Sequence, residues 1–280
     1  MIPLDTNFID IEKVSRALAL KFPKIKGPWT ARKTEFGQSN PTFILNGFNS
    51  KLVLRKKPNG QLLPSAHMIE REFQVMSALE KTDVPVPKMY YLCEDPEEIG
   101  TSYFVMEYLD GQSFLDPQIK QISSCDRRLI YDENVKGLAN LHKVNPDEVG
   151  LTNFGKPGNY FSRQYSRWSR QYVASQTEKI APMEVLMNWL DQNTPEETGN
   201  RSLVHGDWRI DNLLFHKKQF KLIAILDWEL STLGDPRADI ASQIMQWSMP
   251  KGDEGRGLAG VNRSELGIPE DNEFVEQYSE

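Results

Sequence analysis

The stretch from Ser202 to Ala241 constrains this chain more than any other part of it. It reads SLVHGDWRIDNLLFHKKQFKLIAILDWELSTLGDPRADIA. Asp207 and Asn212 lie in a polar turn, and two apolar, strand-like runs follow, with the second run ending at Asp227. An antiparallel hairpin returns the chain to the place where it started. We therefore expect Asp207, Asn212 and Asp227 to lie close together.

Two carboxylates and an amide in this order are the groups that phosphoryl transfer from ATP requires. One carboxylate orients the acceptor hydroxyl and takes its proton, while an amide and a second carboxylate hold Mg²⁺ on the phosphates. Hard oxygen ligands of this kind are those that Mg²⁺ prefers. The pattern assigns Asp207 as the base and Asn212 and Asp227 as metal ligands. An isolated Asp or Asn near a turn is usually a cap, but the joint pattern favours a kinase.

The stretch resembles the aminoglycoside phosphotransferase-like, or choline-kinase-like, family of small-molecule kinases through the segments HGDWRIDN and ILDWELSTLGDPRADIA. Within that family it is most similar to the kinase domain associated with acyl-CoA dehydrogenases. The resemblance implies an α+β, protein-kinase-like bilobal fold. Its N-lobe, residues 1–109, would have an antiparallel sheet with one key helix and cover the nucleotide. Its mainly helical C-lobe, residues 110–280, would carry the catalytic loop, metal site and acceptor site, and would be incomplete at its C-terminus.

Composition excludes several other classes of protein. A chain of 280 residues with 39% hydrophobic and 26% charged residues is typical of a globular protein that can bury two cores. A net charge of −6 argues against binding of nucleic acid or anionic membranes. Cys93 and Cys125 are too few for a disulfide framework. The chain shows neither a signal segment nor an apolar run that spans a bilayer, so we expect a cytoplasmic protein.

The loop Phe36–Pro41 is a candidate for covering the ATP phosphates. It lies between two predicted strands, and by itself its sequence favours a plain hairpin turn. In kinases the corresponding loop contacts the phosphates through its backbone. The resemblance therefore implies that Gly37, Gln38 and Ser39 contact the nucleotide.

The third predicted strand ends at Arg55, where a kinase has a lysine that pairs with the phosphates and with a glutamate of the following helix. Arginine keeps the charge but is not interchangeable with lysine. The resemblance implies that Arg55 binds nucleotide and pairs with Glu72, with Glu70 as the alternative partner. A basic strand end without a role in binding is the alternative interpretation.

The run Ser102–Gly111 is a buried strand that leads into a glycine-containing link. Its position matches the hinge between the lobes of a kinase. By this resemblance Met106 guards the adenine pocket, and the backbones of Glu107 and Leu109 bond the adenine edge. The sequence alone indicates only a core strand followed by a turn.

The segment Asn159–Tyr172 is aromatic and basic at once. At helical spacing Arg163, Arg167 and Arg170 share one face, which would suit an anionic acceptor such as a CoA thioester. A helix that packs its aromatic side and leaves its arginines solvated is the alternative. The candidate acceptor contacts are Tyr160, Arg163, Arg167, Trp168, Trp208, Arg209 and Glu229.

The sequence thus predicts an ATP- and Mg²⁺-dependent phosphotransferase that acts on a hydroxyl group. The part after Asp227 lacks the activation segment of protein kinases, which indicates a small-molecule acceptor. The resemblance suggests a hydroxyacyl-CoA or hydroxy acid, and an acyl-CoA dehydrogenase partner; an aminoglycoside, choline, homoserine or sugar stays open. A nucleotide-binding pseudokinase with a regulatory or scaffolding role is the alternative, which Arg55 keeps open. A zinc hydrolase ranks last, because four scattered histidines supply no zinc motif.

Overall fold

The computed structural model describes residues 9–34, 40–58, 67–156, 158–197, 199, 201–251 and 256–280. Gly37, Gln38 and Ser39, which we expect to contact the nucleotide, lie outside the described residues.

An antiparallel sheet occupies the first part of the chain. Its strands are β1 (Thr30–Lys33), β2 (Thr42–Asn46), β3 (Lys51–Lys56), β4 (Met89–Cys93) and β5 (Tyr103–Glu107). They lie in the order β1-β2-β3-β5-β4. Side chains alternate between the two faces of a strand. Along β3, Leu52 and Leu54 therefore belong to one apolar cluster and Val53 to the other, which is why the central strand is apolar throughout.

Each face of the sheet is covered by one helix. Helix α1 (Ile11–Lys21) begins at Asp10, whose carboxylate accepts from the amides of Glu12 and Lys13 at 3.1 Å as an N-cap. Helix α2 (Ile69–Leu79) buries an apolar stripe on the opposite face. Helix α2 begins at Ile69, two residues after His67, which adopts the left-handed region.

The second part of the chain is mainly helical. A short helix of the first part, α3 (Pro96–Ile99), precedes β5. The helices of the second part are α4 (Ser124–Lys143), α5 (Tyr160–Ser175), α6 (Ala181–Gln192), α7 (Arg237–Ser248), α8 (Arg263–Leu266) and α9 (Asp271–Ser279). Helix α4 is the core helix, and Phe274 of α9 is fully buried near it. The periodicity of residues 262–280 suggests one helix, but the structure has two, because Gly267 adopts φ +76° and Pro269 follows.

Short strands carry the predicted hairpin. They are β6 (Gly111–Gln112), β7 (Ser202–Val204), β8 (Leu213–His216), β9 (Leu222–Ile225) and β10 (Thr232–Gly234). β8 and β9 pair antiparallel with Leu213 opposite Ile225, and β7 pairs with β10. The predicted hairpin is therefore confirmed.

Helices α5 and α6 contribute little to the core. Tyr160 is the buried residue of α5, and α6 buries none of its side chains. Within the described residues, no helix combines the length and the apolar character that a membrane crossing requires.

Candidate active site

The loop after β7 presents Asp207 and fixes its carboxylate. The side-chain Nδ2 of Asn212 donates to the backbone carbonyl oxygen of Asp207 at 2.9 Å and to the Asp207 carboxylate oxygen Oδ2 at 3.1 Å. Asn212 is buried, whereas the Asp207 side chain is 29% exposed. The loop therefore holds a carboxylate at the surface in a set orientation. Because its nitrogen is bonded to Asp207, the amide oxygen of Asn212 is the atom that could serve as a metal ligand.

Asp227 lies beside this loop because of the hairpin. The amide of Leu226 donates to the carbonyl of Asn212 at 2.8 Å, which joins the end of β9 to the start of β8. Asp227 adopts φ 64° and ψ 61°, a left-handed conformation that is uncommon for non-glycine residues. The structure thus brings Asp207, Asn212 and Asp227 together, as the sequence pattern predicts.

A buried carboxylate supports the catalytic loop from beneath. Asp239 on α7 is fully buried and accepts from the amides of His205 at 2.7 Å and Gly206 at 2.8 Å. His142 Nε2 lies 3.1 Å from Asp239, and the Tyr278 hydroxyl lies 2.8 Å from His142 Nδ1. No local pattern predicts these contacts, because the partners lie 33 to 136 positions apart along the chain.

The backbone at position 206 can accept only a glycine without strain. Its φ is +85°, and an added Cβ would lie 2.6 Å from the carbonyl oxygen of Leu230. The glycine of the HGD motif thus lets the catalytic loop pass close to the segment that follows Asp227.

Trp208 is a core residue, and the expectation that it contacts the acceptor is wrong. It is fully buried, and its indole Nε1 donates to Asn134 Oδ1 on α4 at 2.8 Å. Its ring also meets His205 edge-on, with ring centroids 5.7 Å apart. Its apolar bulk, placed between a short strand and the core helix, explains why it faces inward.

Replacing Trp208 by phenylalanine is expected to lower the free energy of unfolding by about 2–3 kcal/mol, because the change leaves Asn134 without its donor and opens a small cavity. The acceptor KM should stay unchanged. Urea unfolding and steady-state kinetics check both. Trp189→Phe on exposed α6 is the matched control and should stay within about 0.5 kcal/mol of wild type. A raised acceptor KM at unchanged stability would show that Trp208 contacts the acceptor after all.

Arg55 joins the N-lobe sheet to two carboxylates. Its Nε lies 3.0 Å from Glu72 Oε2, and its Nη2 lies 2.6 Å from Asp227 Oδ1. Glu70, the alternative partner, contacts Lys57 instead. Burial raises the pKa of Glu72 to about 7, against the opposing effect of Arg55. The arginine is thus the cation that holds the acidic residues of both lobes together.

The acidic residues around Arg55 could hold a divalent cation. Oxygen atoms of Glu72, Asp227 and Glu229 lie within 4.8 Å of one another. Asn40 donates from its Nδ2 to Glu72 at 3.0 Å and to Glu229 at 3.4 Å. Carboxylate oxygens suit Mg²⁺, which keeps several waters and needs few protein ligands. Glu229, a candidate acceptor contact, therefore lies beside Glu72 and Asp227, and its contact with the acceptor stays a prediction. Asn40 belongs to the predicted loop Phe36–Pro41, but its bonds to these carboxylates were not predicted.

The candidate hinge residues lie at the end of β5. Met106 is buried and pairs with Val53 of β3. The amide of Glu107 donates to Lys88 at 2.9 Å, and the carbonyl of Leu109 accepts from Gly111 at 3.0 Å. Their contacts with adenine stay a prediction.

Helix α5 carries its candidate residues in three different settings. Tyr160 is buried, and a Cβ on Gly234 would lie 2.3 Å from its ring, so its main role is packing. Arg163 donates to the carbonyl of Lys156 at 2.9 Å. Arg167 lies 5.3 Å above the ring of Trp168, which is 48% exposed. The contacts given for Arg163 and Arg167 lie within α5 or next to its start, and a role of these residues in acceptor binding stays a prediction.

Arg209 differs from the α5 residues because it lies in the same loop as Asp207 and contacts the Asp207 carboxylate. Its Nη2 lies 3.4 Å from Asp207 Oδ2 and 3.2 Å from Asp211 Oδ2. A guanidinium next to the candidate base makes this side of the site attractive to an anionic group.

Comparison with known proteins decides the family. Residues 30–265 match the phosphotransferase enzyme family. The chain belongs to this phosphotransferase family. Acyl-CoA dehydrogenase family member 10 of Mus musculus is 43% identical over 253 residues, which cover 90% of this chain and 24% of that protein. The phosphotransferase chain spans between about a quarter and about a third of the length of the curated relatives that it matches.

Solved structures show the same fold as this phosphotransferase. One from Ralstonia eutropha JMP134, described as a presumptive aminoglycoside phosphotransferase, is 41% identical with a TM-score of 0.84, covering 97% of this chain and 80% of that chain. The streptomycin–ATP complex of APH(2")-IIa is 18% identical with a TM-score of 0.64, covering 100% and 83% of the two chains. The predicted bilobal fold and the class of small-molecule phosphotransferases are therefore confirmed.

Proposed function

We propose that this phosphotransferase transfers the γ-phosphoryl group of ATP to a hydroxyl group of a small molecule in a Mg²⁺-dependent reaction. The observation that carries the proposal is the convergence of Asp207, Asn212 and Asp227 at one end of the β8–β9 hairpin, with Arg55 bonded to Asp227 at 2.6 Å. No group in this arrangement needs to form a covalent bond to the substrate, and positioning with charge stabilisation is what phosphoryl transfer mainly requires.

Asp207 would orient the acceptor hydroxyl and take its proton. One carboxylate oxygen is held by Asn212 at 3.1 Å and by Arg209 at 3.4 Å, which limits the rotation of the group. An exposed, oriented carboxylate is suited to general-base catalysis.

Asn212 and Asp227 would hold Mg²⁺, with Glu229 and Glu72 close enough to contribute through water. When bound, Mg²⁺ would neutralise charge on the phosphates. Arg55 now bonds Asp227, and with ATP present the same guanidinium would pair with phosphate oxygens while keeping Glu72. The acid-rich cluster and the arginine are thus complementary to a magnesium–nucleotide complex.

The nucleotide would lie between the lobes, with Gly37, Gln38 and Ser39 over its phosphates and Met106, Glu107 and Leu109 along its adenine. We place the lobe boundary after Leu109. The ATP complex of the neighbour that shares the fold supports nucleotide use.

We further propose an anionic acceptor, such as a hydroxyacyl-CoA or a hydroxy acid. Arg209 beside Asp207 would oppose a polycationic antibiotic at this position and would attract a carboxylate or phosphate. The names of the relatives, acyl-CoA dehydrogenase family members, support an acyl-CoA acceptor and an acyl-CoA dehydrogenase as partner.

A panel of acceptors with Mg²⁺ and ATP tests the function. Hydroxyacyl-CoAs, free hydroxy acids, aminoglycosides, choline, homoserine and sugars are incubated with the protein, and mass spectrometry detects the gain of a phosphoryl group. We expect product on one anionic class and none in Asp207→Asn. Product on aminoglycosides alone would contradict the anionic acceptor. Binding of ATP without product on any member would favour a pseudokinase.

Replacing Arg163 and Arg167 together by alanine is expected to raise the KM for an anionic acceptor by about 30-fold or more, since each of the two lost charge-assisted contacts is worth about 1 kcal/mol or more. The KM for ATP should stay unchanged. The pair Arg128→Ala and Lys217→Ala, which removes one half-buried and one exposed cation elsewhere, is the control for net charge. An acceptor KM equal to that of the control would show that the α5 arginines are merely solvated.

A further inference from the structure

Arg71 on α2 links the N-lobe to two segments of the C-lobe at once. Its Nη2 donates to the carbonyl of Phe154 at 2.6 Å and to the carbonyl of Ser231 at 3.2 Å. Its guanidinium also stacks on the Phe154 ring, 4.0 Å from the centroid. One planar cation thus bonds two carbonyl groups and stacks on one aromatic face; a lysine ammonium has donors for the carbonyls but no plane to stack on the ring.

The position of these contacts connects them to the site. Ser231 ends the turn that begins at Asp227, and its hydroxyl donates to Trp228 at 2.6 Å, so this segment is stiff. Phe154 precedes Gly155, where an added Cβ would lie 2.6 Å from the amide of Leu233, so that loop is seated on β10. Arg71 is therefore bonded to the segment that carries Asp227.

The neighbour of Arg71 along α2 is Glu72, the partner of Arg55. Adjacent residues of a helix point about 100° apart. Helix α2 can therefore turn Glu72 toward the nucleotide while Arg71 is anchored to the C-lobe. A shift of α2 would move both contacts together.

We propose that Arg71 is a positioning residue that holds α2 at a fixed distance from the Asp227 segment when Mg²⁺ and nucleotide occupy the site. Two other links between these regions, Arg55 to Asp227 and Asn40 to Glu229, use groups that metal and phosphate would engage. The contacts of Arg71 use backbone carbonyls and an aromatic ring, which neither metal nor phosphate displaces. This inference rests on the proposed use of Mg²⁺ and ATP.

The test compares ATP binding with MgCl₂ and ATP binding with EDTA by calorimetry. In Arg71→Met we expect the affinity in EDTA to stay within about threefold of wild type, because Arg55 can still meet the phosphates. The gain in affinity that Mg²⁺ provides should fall by at least about tenfold, since Asp227 is no longer held at the required distance. Arg71→Lys, which keeps the charge but not the planar fork, should lose part of the gain and serves if the methionine variant does not fold.

Arg201→Met is the matched control. Arg201 also bonds a loop carbonyl and a carboxylate, at Thr152 and Asp147, but all its partners belong to the C-lobe. It should lower the melting temperature by a similar amount and leave the ratio of the two affinities unchanged. The inference would be overturned, while the proposed function stands, if Mg²⁺ raised the affinity for ATP as much in both Arg71 variants as in wild type. It would also be overturned if Arg201→Met lost as much of that gain as the Arg71 variants. A wild-type protein without any gain from Mg²⁺ would refute the proposed function and, with it, this inference.

Discussion

Replacing Asp207 by asparagine is expected to reduce phosphoryl transfer by about 10³-fold, which is the usual effect of removing a positioned general base. Asparagine has the same size and can keep the bond to Asn212, but its amide cannot take the proton of the acceptor hydroxyl. The affinity for ATP with Mg²⁺ should stay within about threefold, because Asp207 bonds Asn212 and does not belong to the cluster of Glu72, Asp227 and Glu229 around Arg55. Single-turnover transfer and calorimetry measure the two quantities.

Asp211→Asn is the matched control for this experiment. It makes the same substitution in the same loop, next to Arg209, but Asp211 does not contact Asn212 through its side chain in the way Asp207 does. Its rate should stay within about tenfold of wild type. Equal losses in the two variants would mean that the charge of the loop matters and not the position of one base.

Replacing Asp227 by alanine is expected to weaken binding of Mg²⁺ with ATP by at least about 100-fold, since even groups that merely orient metal ligands are worth about 10- to 100-fold in metal affinity. The loss should appear only with the metal. In EDTA the affinity for ATP should equal or exceed that of wild type, because the change frees Arg55 from its 2.6 Å bond to Asp227. Calorimetry with MgCl₂ and with EDTA separates the two effects.

Asp227→Asn refines this result. It removes the charge but keeps an oxygen that can coordinate metal, so its affinity with Mg²⁺ should fall between that of wild type and that of Asp227→Ala. A loss in EDTA as large as the loss with Mg²⁺ would contradict a metal-specific role. Near-ultraviolet circular dichroism would then show whether the left-handed turn at Asp227 had collapsed.

The sequence predicted much of the candidate site because its central part is local. Asp207, Asn212 and Asp227 lie on one hairpin, so spacing along the chain implies their distance in space. The ion pair of Arg55 with Glu72 also followed from a resemblance that orders a strand before a helix, and the structure has that pair. The inward direction of Trp208 did not follow, because a tryptophan in a catalytic loop can equally face a ligand or the core.

By itself, the sequence indicated the family, the β8–β9 hairpin and the residues to which we assign the proposed chemistry, since each depends on short-range patterns. Only the tertiary structure decided which groups surround them. Asp239 beneath the catalytic loop, Asn40 between two carboxylates and Arg71 across the lobes each meet partners more than thirty positions away. Contacts of that kind depend on how helices and strands pack against each other, and no local pattern of side chains encodes the partner.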